Sequence, residues 1–558
     1  MSLQVQRRFV RIGERNVHLR HAGSGPALVL LHQSPQNSRM WLDMIDRFAD
    51  RYTVIAPDTP GFGYSDALDV AEPSIADLAT AMVEVLDVLE IRRFAVFGMH
   101  TGGLVAAQVA AAYPDRVSAL VVDGYAAFTP EESAIYGDRY LPPFVPAWDG
   151  SHLRWLWSRM REQKYFFPWY DDRAQAAMAI DPHTTGSTHE AVMDVLQVGD
   201  AYRAGYGAAF RHVEHAFLAT IVAPSLLVYR RGDPLLAHMP RLSGLPDNVQ
   251  VLVEEGGIPG MHVRMDALFA DALASEVPVV LATSVGDGGS DSNEPGVSPC
   301  SRHIVACAVG DIGVSVRPGA GSLRLVLHAP GQRPLATSDL GHDTAAIIAP
   351  DLPGHGASCE VTASLGVETM VSAILAALER ADRSLPITIE SHGAAAGYVP
   401  ALATKLGTRL QAIELHRPWL LNADEAETLL AQLPDPSLRR AGGHLDEAWQ
   451  WERERHLLWP WLQPSAAARR LVAAARPDQV NDNVVELLQL GARCELMFRE
   501  ATTPGLADRL AALGVPISAG SSDASEDYQG RTAALLKRQA INPIRTPDFS
   551  SPLAHSAD

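Results

Sequence analysis

Ten residues carry the densest chemical signal in the chain: FAVFGMHTGG, residues 94–103. An apolar run with the aromatic and β-branched content of a strand ends in Gly-x-His-x-Gly-Gly, and the stretch LVAAQVAAAYP that follows has a helical pattern. A strand that turns straight into a helix needs small residues where the two backbones nearly touch. Gly98 and Gly102 supply them. His100 then stands at the bend. An imidazole can attack a carbonyl, but more often it moves protons, because its pKa lies near neutrality. A general base or acid is therefore the leading reading, with covalent acyl-imidazole chemistry and a histidine that merely fills the turn as the alternatives.

The elements that must hold this residue repeat along the chain. VRIGERNVHLRHAGSGPALVLLH (10–32) is echoed by VACAVGDIGVSVRPGAGSLRLVLH (305–328), APDTPGFGYSD (56–66) by APDLPGHGAS (349–358), and HLRWLWSRMREQKYFFPW (152–169) by HLDEAWQWERERHLLWPW (444–461). The spacings agree: His32 to His328 is 296 residues, Asp58 to Asp351 is 293, and His152 to His444 and Trp169 to Trp461 are each 292. A spacing kept within four residues over separate motifs points to a tandem duplication. The Gly-, Ser-, Asp- and Pro-rich segment 283–302 reads as a flexible linker, and 541–558 as a disordered tail. In the first copy, ALVLLH, YTVIAPD, FAVFGM, ALVVDG, SLLVYR and VQVLVEE read as strands alternating with helical stretches such as SIADLATAMVEVLDVL. That alternation predicts an α/β domain, a mostly parallel, doubly wound sheet covered on both faces, over residues 1–282. Residues of about 127–215, rich in Trp and Arg, break the rhythm and read as an inserted helical cap.

With its flanking strand and helix, GMHTGG resembles the Gly-x-Ser-x-Gly nucleophile elbow of the α/β-hydrolase family. Together with LHQSPQNSRMW (31–41) and DTPGFGYSD (58–66), it is similar to the haloalkane-dehalogenase and carbon–carbon-bond-hydrolase branch. The resemblance implies an eight-stranded sheet, a cap after the sixth strand, and a nucleophile, acid and histidine in that order. The departure is His100 in place of a nucleophilic Ser, Asp or Cys. By the same resemblance, SLLVYRRGDP places Asp233 at the acid, and VQVLVEEGGIPGMHVRM places His262 at the histidine, on a loop after the last strand. Asp233 is expected to orient His262 as a triad carboxylate does. The backbone N–H groups of Ser34 and Thr101 match an oxyanion hole, and the side chains of Gln33 and Ser34 can add hydrogen bonds to substrate. His32 is expected to brace its loop, and Asp58 to serve the turn DTPGFG rather than catalysis; Asp123 is a lesser catalytic candidate. Cap aromatics, above all Tyr165 and Trp169, can roof an apolar substrate or, at helical spacing, form the cap's own core.

The second copy (303–540, cap about 416–490) reads as degenerate. Its elbow segment ITIESHGAAAGY sets Ser391 opposite His100, with Ile389 where the first glycine stood; CELMFREATTP replaces the acid-bearing strand and leaves Thr502 in place of Asp233, and GVPISAGSSDASEDYQG, the last strand, has no histidine. A serine without a base is inert, and His392 on the helix side is expected to point elsewhere.

The whole chain sets the remaining bounds. Its 558 residues exceed one core, and 47% apolar with 20% charged residues is ordinary globular composition. A net charge of −19 disfavours nucleic acid and anionic membranes as partners. Four cysteines without CxxC spacing suit a reducing cytoplasm, and no run of roughly 18 apolar residues predicts a membrane span. Neither a dinucleotide fingerprint nor a P-loop occurs, and the histidines show no metal-ligand spacing, so neither cofactor nor metal is expected. The function expected is hydrolysis of an ester, lactone or activated carbon–carbon bond in a small or medium carbonyl compound, by His262 and His100 together. A lyase, isomerase or decarboxylase using the same two rings is one alternative, and a catalytically dead ligand-binding or interaction protein is another. A small-molecule substrate is the partner expected, with self-association left open.

Overall fold

Runs such as ALVLL and VSALVVD are apolar at nearly every position, which suits strands covered on both faces rather than on one. The computed structural model describes residues 5–281, 300–335, 344–360, 366–435, 437–458, 464–470, 474–502, 504–519 and 526–538. Two units divide the chain, residues 1–295 with 438–442 and residues 296–437 with 443–558.

The first unit is built on strands β1 (Gln6–Ile12), β2 (Arg15–Ala22), β3 (Ala27–Leu31), β4 (Thr53–Pro57), β5 (Phe94–Met99), β6 (Val117–Asp123), β7 (Ser225–Arg230) and β8 (Val249–Glu254). They form one sheet in the order β1-β2-β4-β3-β5-β6-β7-β8. Only β1–β2 and β2–β4 pair antiparallel; every other pair is parallel. Helices α1 (Leu42–Phe48), α2 (Ile75–Val88) and α3 (Thr101–Ala112) precede β6; α4 (Pro130–Tyr140), α5 (Ser151–Glu162), α6 (Thr185–Leu196) and α7 (Tyr202–Arg211) lie between β6 and β7; α8 (Gly257–Ala272) follows β8. Met44, Ile45 and Phe48 of α1 and Met261, Met265 and Phe269 of α8 share a core with Leu28, Leu30, Ala95 and Phe97 of the sheet.

The four helices between β6 and β7 are the cap. Two of them open on side chains that satisfy the first free amides: Thr129 and Glu132 form a capping box on α4, and Thr184 accepts from Ser187 on α6. The cap's interior is aromatic, with Tyr140 packed on Phe167, Tyr206 and Phe210 at centroid distances of 4.9–5.9 Å.

The second unit has strands β9 (Ser301–Cys307), β10 (Gly310–Arg317), β11 (Leu323–Leu327), β12 (Ala346–Pro350), β13 (Ile387–His392), β14 (Leu410–His416) and β15 (Ile517–Ala519). Its helices are α9 (Val367–Ala377), α10 (Val399–Leu406), α11 (Ala423–Ala431), α12 (Gly443–Leu457), α13 (Pro477–Leu490), α14 (Cys494–Ala501), α15 (Leu506–Ala511) and α16 (Glu526–Arg538). The sheet runs β9-β10-β12-β11-β13-β14-β15, the neighbour order of the first sheet with one strand fewer among the described residues.

Two expectations about this unit are corrected. CELMFREATTP is not a strand: Cys494, Met497, Phe498 and Ala501 are buried at i, i+3, i+4 and i+7, the period of a helix, and the segment forms α14. The segment GVPISAG supplies β15, parallel to β14 as β7 is to β6, and Ile517 stands 292 residues after Ser225. Of the expected linker, residues 283–299 lie outside the described residues, while Ser301 and Arg302 open β9. The expected tail, 541–558, also lies outside them. No helix among the described residues is long and apolar enough to cross a membrane.

Candidate active site

Strand β5 hands over to helix α3 without a loop, and the residue at the junction is strained for it. His100 has φ 47° and ψ −112°, a region that non-glycine residues avoid at a cost of about 1–3 kcal/mol. Flanking glycines make the bend possible. A Cβ on Gly98 would lie 2.2 Å from the carbonyl oxygen of Gly102, and one on Gly102 would lie 2.2 Å from that of Leu31. The backbone of His100 is tied on both sides, its N–H donating to Asp123 O at 2.9 Å and its C=O accepting from Leu104 N at 3.0 Å. Strain held this way marks a residue kept for its position.

Across the strand tips, the Nε2 of His100 lies 2.8 Å from Asp233 Oδ2. Asp233 follows β7, and its other oxygen accepts from Leu235 N at 2.8 Å, so the carboxylate is fixed before it meets the ring. Room for the pair depends on Gly124: a Cβ there would fall 2.6 Å from His100 Cδ2 and 3.2 Å from Asp233 Oδ2. Beneath lies a second buried carboxylate, Asp123, whose Oδ1 accepts from Arg230 Nε at 2.9 Å, with Arg230 Nη2 4.0 Å from Asp233.

These charges set the protonation of the dyad. Burial acts to lower the pKa of His100, but the charge and hydrogen bond of Asp233, with Asp123 behind, outweigh it and raise the value above 6.5. Burial acts to raise Asp233, yet His100, the Leu235 amide and Arg230 hold it down to about 2. Asp123 itself is pushed up by burial despite Arg230. With Nε2 turned to Asp233, the Nδ1 of a neutral His100 carries the free lone pair. The ring remains 27% exposed while Asp233 is only 5% exposed, so the dyad presents the imidazole and hides the carboxylate.

The ring opens into a cavity of about 180 Å³ beneath the cap. Its floor is His100, Thr101, Gln33 and Ser34; its walls are largely apolar, including Phe128, Phe167 and Phe210. Thr101 is the first residue of α3, so its amide is among those that no helical carbonyl can satisfy. Several polar cap groups unexpected from sequence also line the cavity, among them Gln163, Lys164, His183 and Asp194. Gln163 Oε1 is buried without a hydrogen-bond partner among the described residues. Lys164, the only lysine in residues 1–300, lines the cavity, and among the described residues its ammonium makes no ion pair; burial lowers its pKa. Asp194, buried and pushed up to about 6, accepts from Asn37 Nδ2 at 2.9 Å. Only the lysine carried a signal in the sequence, its rarity.

Three residues assigned to the site by sequence stand elsewhere. His262 lies on α8, not on a loop. Strand β8 ends at Glu254 and the helix starts at Gly257, where Glu254 accepts from Gly256 N and Arg264 Nε at 2.7 and 2.6 Å. One residue past core-facing Met261, His262 is turned off the buried stripe toward Arg47 and Asp266, and neither Asp233 nor the cavity meets it. Burial and Arg47 lower its pKa. His262→Ala is therefore expected to leave kcat/KM within about twofold of the parent on any substrate this site turns over. Trp169 donates Nε1 to Tyr140 O at 3.0 Å, and Tyr165 is 37% exposed; neither lines the cavity. Of the residues expected, the structure brings together His100, Asp233, Gln33, Ser34 and Thr101.

His32 and Asp58 are structural, as expected. His32 Nε2 accepts from Thr59 N at 2.8 Å, and its Nδ1 lies 3.0 Å from Gln33 O. Asp58 is fully buried, meets His18 Nδ1 at 2.8 Å and accepts from the amides of Ser38 and Tyr64. Burial acts to raise Asp58, but His18 and Arg20 hold it well below the usual carboxylate range.

In the second unit the alignment of the elbow shifts. Leu31 pairs with Gly98 and Leu327 with Ser391, so Ser391 stands where Gly98 does and Gly393 stands at the position of His100. Gly393 has φ +53°, close to that of His100, but no side chain. Ser391 is wholly buried, and Thr502 closes α14 with its hydroxyl donating to Phe498 O at 2.8 Å.

Residues 26–257 match the model of the alpha/beta hydrolase fold family. An uncharacterized protein of Mycobacterium tuberculosis is 38% identical over 133 residues, 23% of this chain and 39% of that protein. A fluoroacetate dehalogenase of Burkholderia sp. is 36% identical over 121 residues, covering 21% and 40%. A 2-hydroxy-6-oxononadienedioate/2-hydroxy-6-oxononatrienedioate hydrolase of Burkholderia vietnamiensis is 41% identical over 117 residues, covering 20% and 40%. The chain thus spans about two-fifths of the length of these curated relatives. Among solved structures, epoxide hydrolase A of Mycobacterium thermoresistibile is similar at a TM-score of 0.39 and 22% identity, over 49% of this chain and 99% of that one.

Proposed function

We propose that the first unit is a hydrolase of small carbonyl compounds that carry a carboxylate, with His100 and Asp233 as its general-base dyad. One observation carries this: His100 Nε2 lies 2.8 Å from Asp233 Oδ2 while the same ring lines the cavity under the cap. Relatives named as a fluoroacetate dehalogenase and a 2-hydroxy-6-oxononadienedioate/2-hydroxy-6-oxononatrienedioate hydrolase support the reaction class.

Asp233 accepts the Nε2 proton and fixes the tautomer, leaving Nδ1 to take a proton from water as that water attacks the carbonyl carbon. The oxygen of the carbonyl becomes an alkoxide between the amides of Ser34 and Thr101, and Asp233 stabilises the imidazolium. Collapse re-forms the carbonyl, breaks the bond to the leaving group, and returns the Nδ1 proton to it. Two amides aimed at that oxygen contribute several kcal/mol to lowering the barrier. In this reading the same His100 serves as base and then as acid.

Lys164 gives the substrate its charge. A cation lining an apolar cavity without a carboxylate of its own is matched by an anionic substrate. Lys164→Met is expected to raise KM for a carboxylated substrate about 10–100-fold, the worth of one charge-assisted hydrogen bond, while kcat changes little. An equal effect on a neutral analogue would remove the lysine from recognition.

Proton abstraction from a carbon acid, without water consumed, is the second reading. It is favoured by the position of the ring at the elbow, where it lines the cavity itself. Turnover of esters, lactones and diketones with and without a carboxylate, run in oxygen-18 water, separates the two. Label in the product supports hydrolysis, product without label supports the lyase or isomerase reading, and binding without turnover of any compound supports a ligand-binding protein.

A further inference from the structure

In the first unit, β5 is apolar and buried along nearly its whole length, but β13, which holds the equivalent place in the second, alternates. Ile387, Ile389 and Ser391 are buried while Thr388, Glu390 and His392 are half-exposed, so one face of this strand has become polar. Its parallel neighbour β14 brings His416 level with His392. Their rings stack at 4.6 Å between centroids with 12° between planes, and both stand over Glu390. Its Oε1 lies 3.1 Å from His392 Nε2 and 3.5 Å from His416 Nε2.

We propose that Glu390, His392 and His416 form a divalent-metal site of the zinc class at the carboxyl ends of β13 and β14. One ligand atom from each, two imidazole nitrogens and one carboxylate oxygen, all lie within 4.8 Å of one another. Ligands bonded to zinc at ~2.0–2.1 Å in a tetrahedron sit about 3.4 Å apart. The two distances to Glu390 already match that edge, and rotation of the stacked rings about their side-chain bonds is needed to turn their Nε2 lone pairs toward a common ion. His416 Nε2 is buried and makes no hydrogen bond among the described residues, a state that costs free energy unless something takes its lone pair. Arg324 contacts the opposite oxygen, Glu390 Oε2, so it orients the carboxylate and leaves Oε1 to the two histidines. With three protein ligands and rings 36% and 40% exposed, the remaining coordination positions face water.

Two imidazoles and one carboxylate suit zinc, and also iron(II) or nickel(II), over the hard ions magnesium and calcium. The sequence hides this set because its ligands come from neighbouring strands; only Glu390 and His392 are close in the chain, and 24 residues separate His392 from His416.

Calorimetric titration of the full chain with zinc tests the site, with cobalt(II) absorption reporting coordination. One tight equivalent per chain is expected, with a visible cobalt band. His416→Ala and His392→Ala are each expected to weaken that equivalent at least ~10–100-fold. Both rings are partly exposed, and unchanged far-ultraviolet circular dichroism separates loss of a ligand from loss of the fold. Glu390→Gln, which keeps the shape, should weaken zinc as well. No saturable zinc binding in the parent chain, or equal affinity in well-folded His416→Ala and His392→Ala, overturns the proposal.

Discussion

Replacing His100 with alanine is expected to lower kcat/KM by about 10²–10⁴, the range a positioned general base contributes. The side chain is replaced at a position whose backbone is already strained, so the fold has little reason to object; loss of φ-strain is not at stake, since alanine meets the same φ of 47°. The protein should therefore remain folded and bind substrate while turnover fails. Equal rates in His100→Ala and parent would end the assignment of the base. His100→Ser, which restores the family's usual hydroxyl, is expected to be no better than alanine. In the parent the carboxylate is met by the His100 ring itself, which a serine lacks.

Asp233→Asn is the second large effect, about a thousandfold in kcat/KM, because an amide holds the imidazole in the wrong tautomer. Its pH dependence carries the sharper information. General-base catalysis needs neutral His100, so kcat/KM of the parent should rise with pH through a pKa above 6.5, where Asp233 and Asp123 have placed it. Removing the charge of Asp233 leaves burial and Arg230 to act downward, and the limb should move to lower pH. Stability moves in the corresponding sense. The ion pair of His100 with Asp233 stabilises the folded chain fully below pH 6.5, and that contribution fades as pH rises through the raised value. On the acid side, the contribution of Asp233 is complete above its ordinary carboxylate pKa and disappears as pH falls through about 2. A limb that stays in place in Asp233→Asn would separate the rate-limiting ionisation from this dyad.

Much of the first unit is legible in the sequence because its code is local. Apolar runs bounded by turn residues become β3 through β8, and the glycines around His100 announce a bend that the backbone then makes. What the sequence hides is long-range. Analogy sets His262 on a loop, but Gly256, Gly257 and Gly260 let α8 start directly after β8, and a Cβ on Gly260 would fall 2.3 Å from Glu254 Oε1. The pairing of Asp233 with His100 rather than His262 needs the strand order, which brings β5 and β7 to either side of β6. In the second unit a local signal does exist against the expected strand: the buried Cys494, Met497, Phe498 and Ala501 have the spacing of a helix. Lys164 requires the cap to be folded before its exceptional place can be seen.

One feature shared by the units is the histidine just past the third strand of each sheet. His32 and His328 accept from Thr59 N and Leu352 N at 2.8 and 2.9 Å, and each Nδ1 lies 3.0 Å from the next residue's carbonyl oxygen. The same clasp is present in both units, whereas the elbow position holds an imidazole in one and a bare glycine in the other. A scaffold fastened independently of its strand tips can carry different side chains, and so different chemistry, at those tips without loosening.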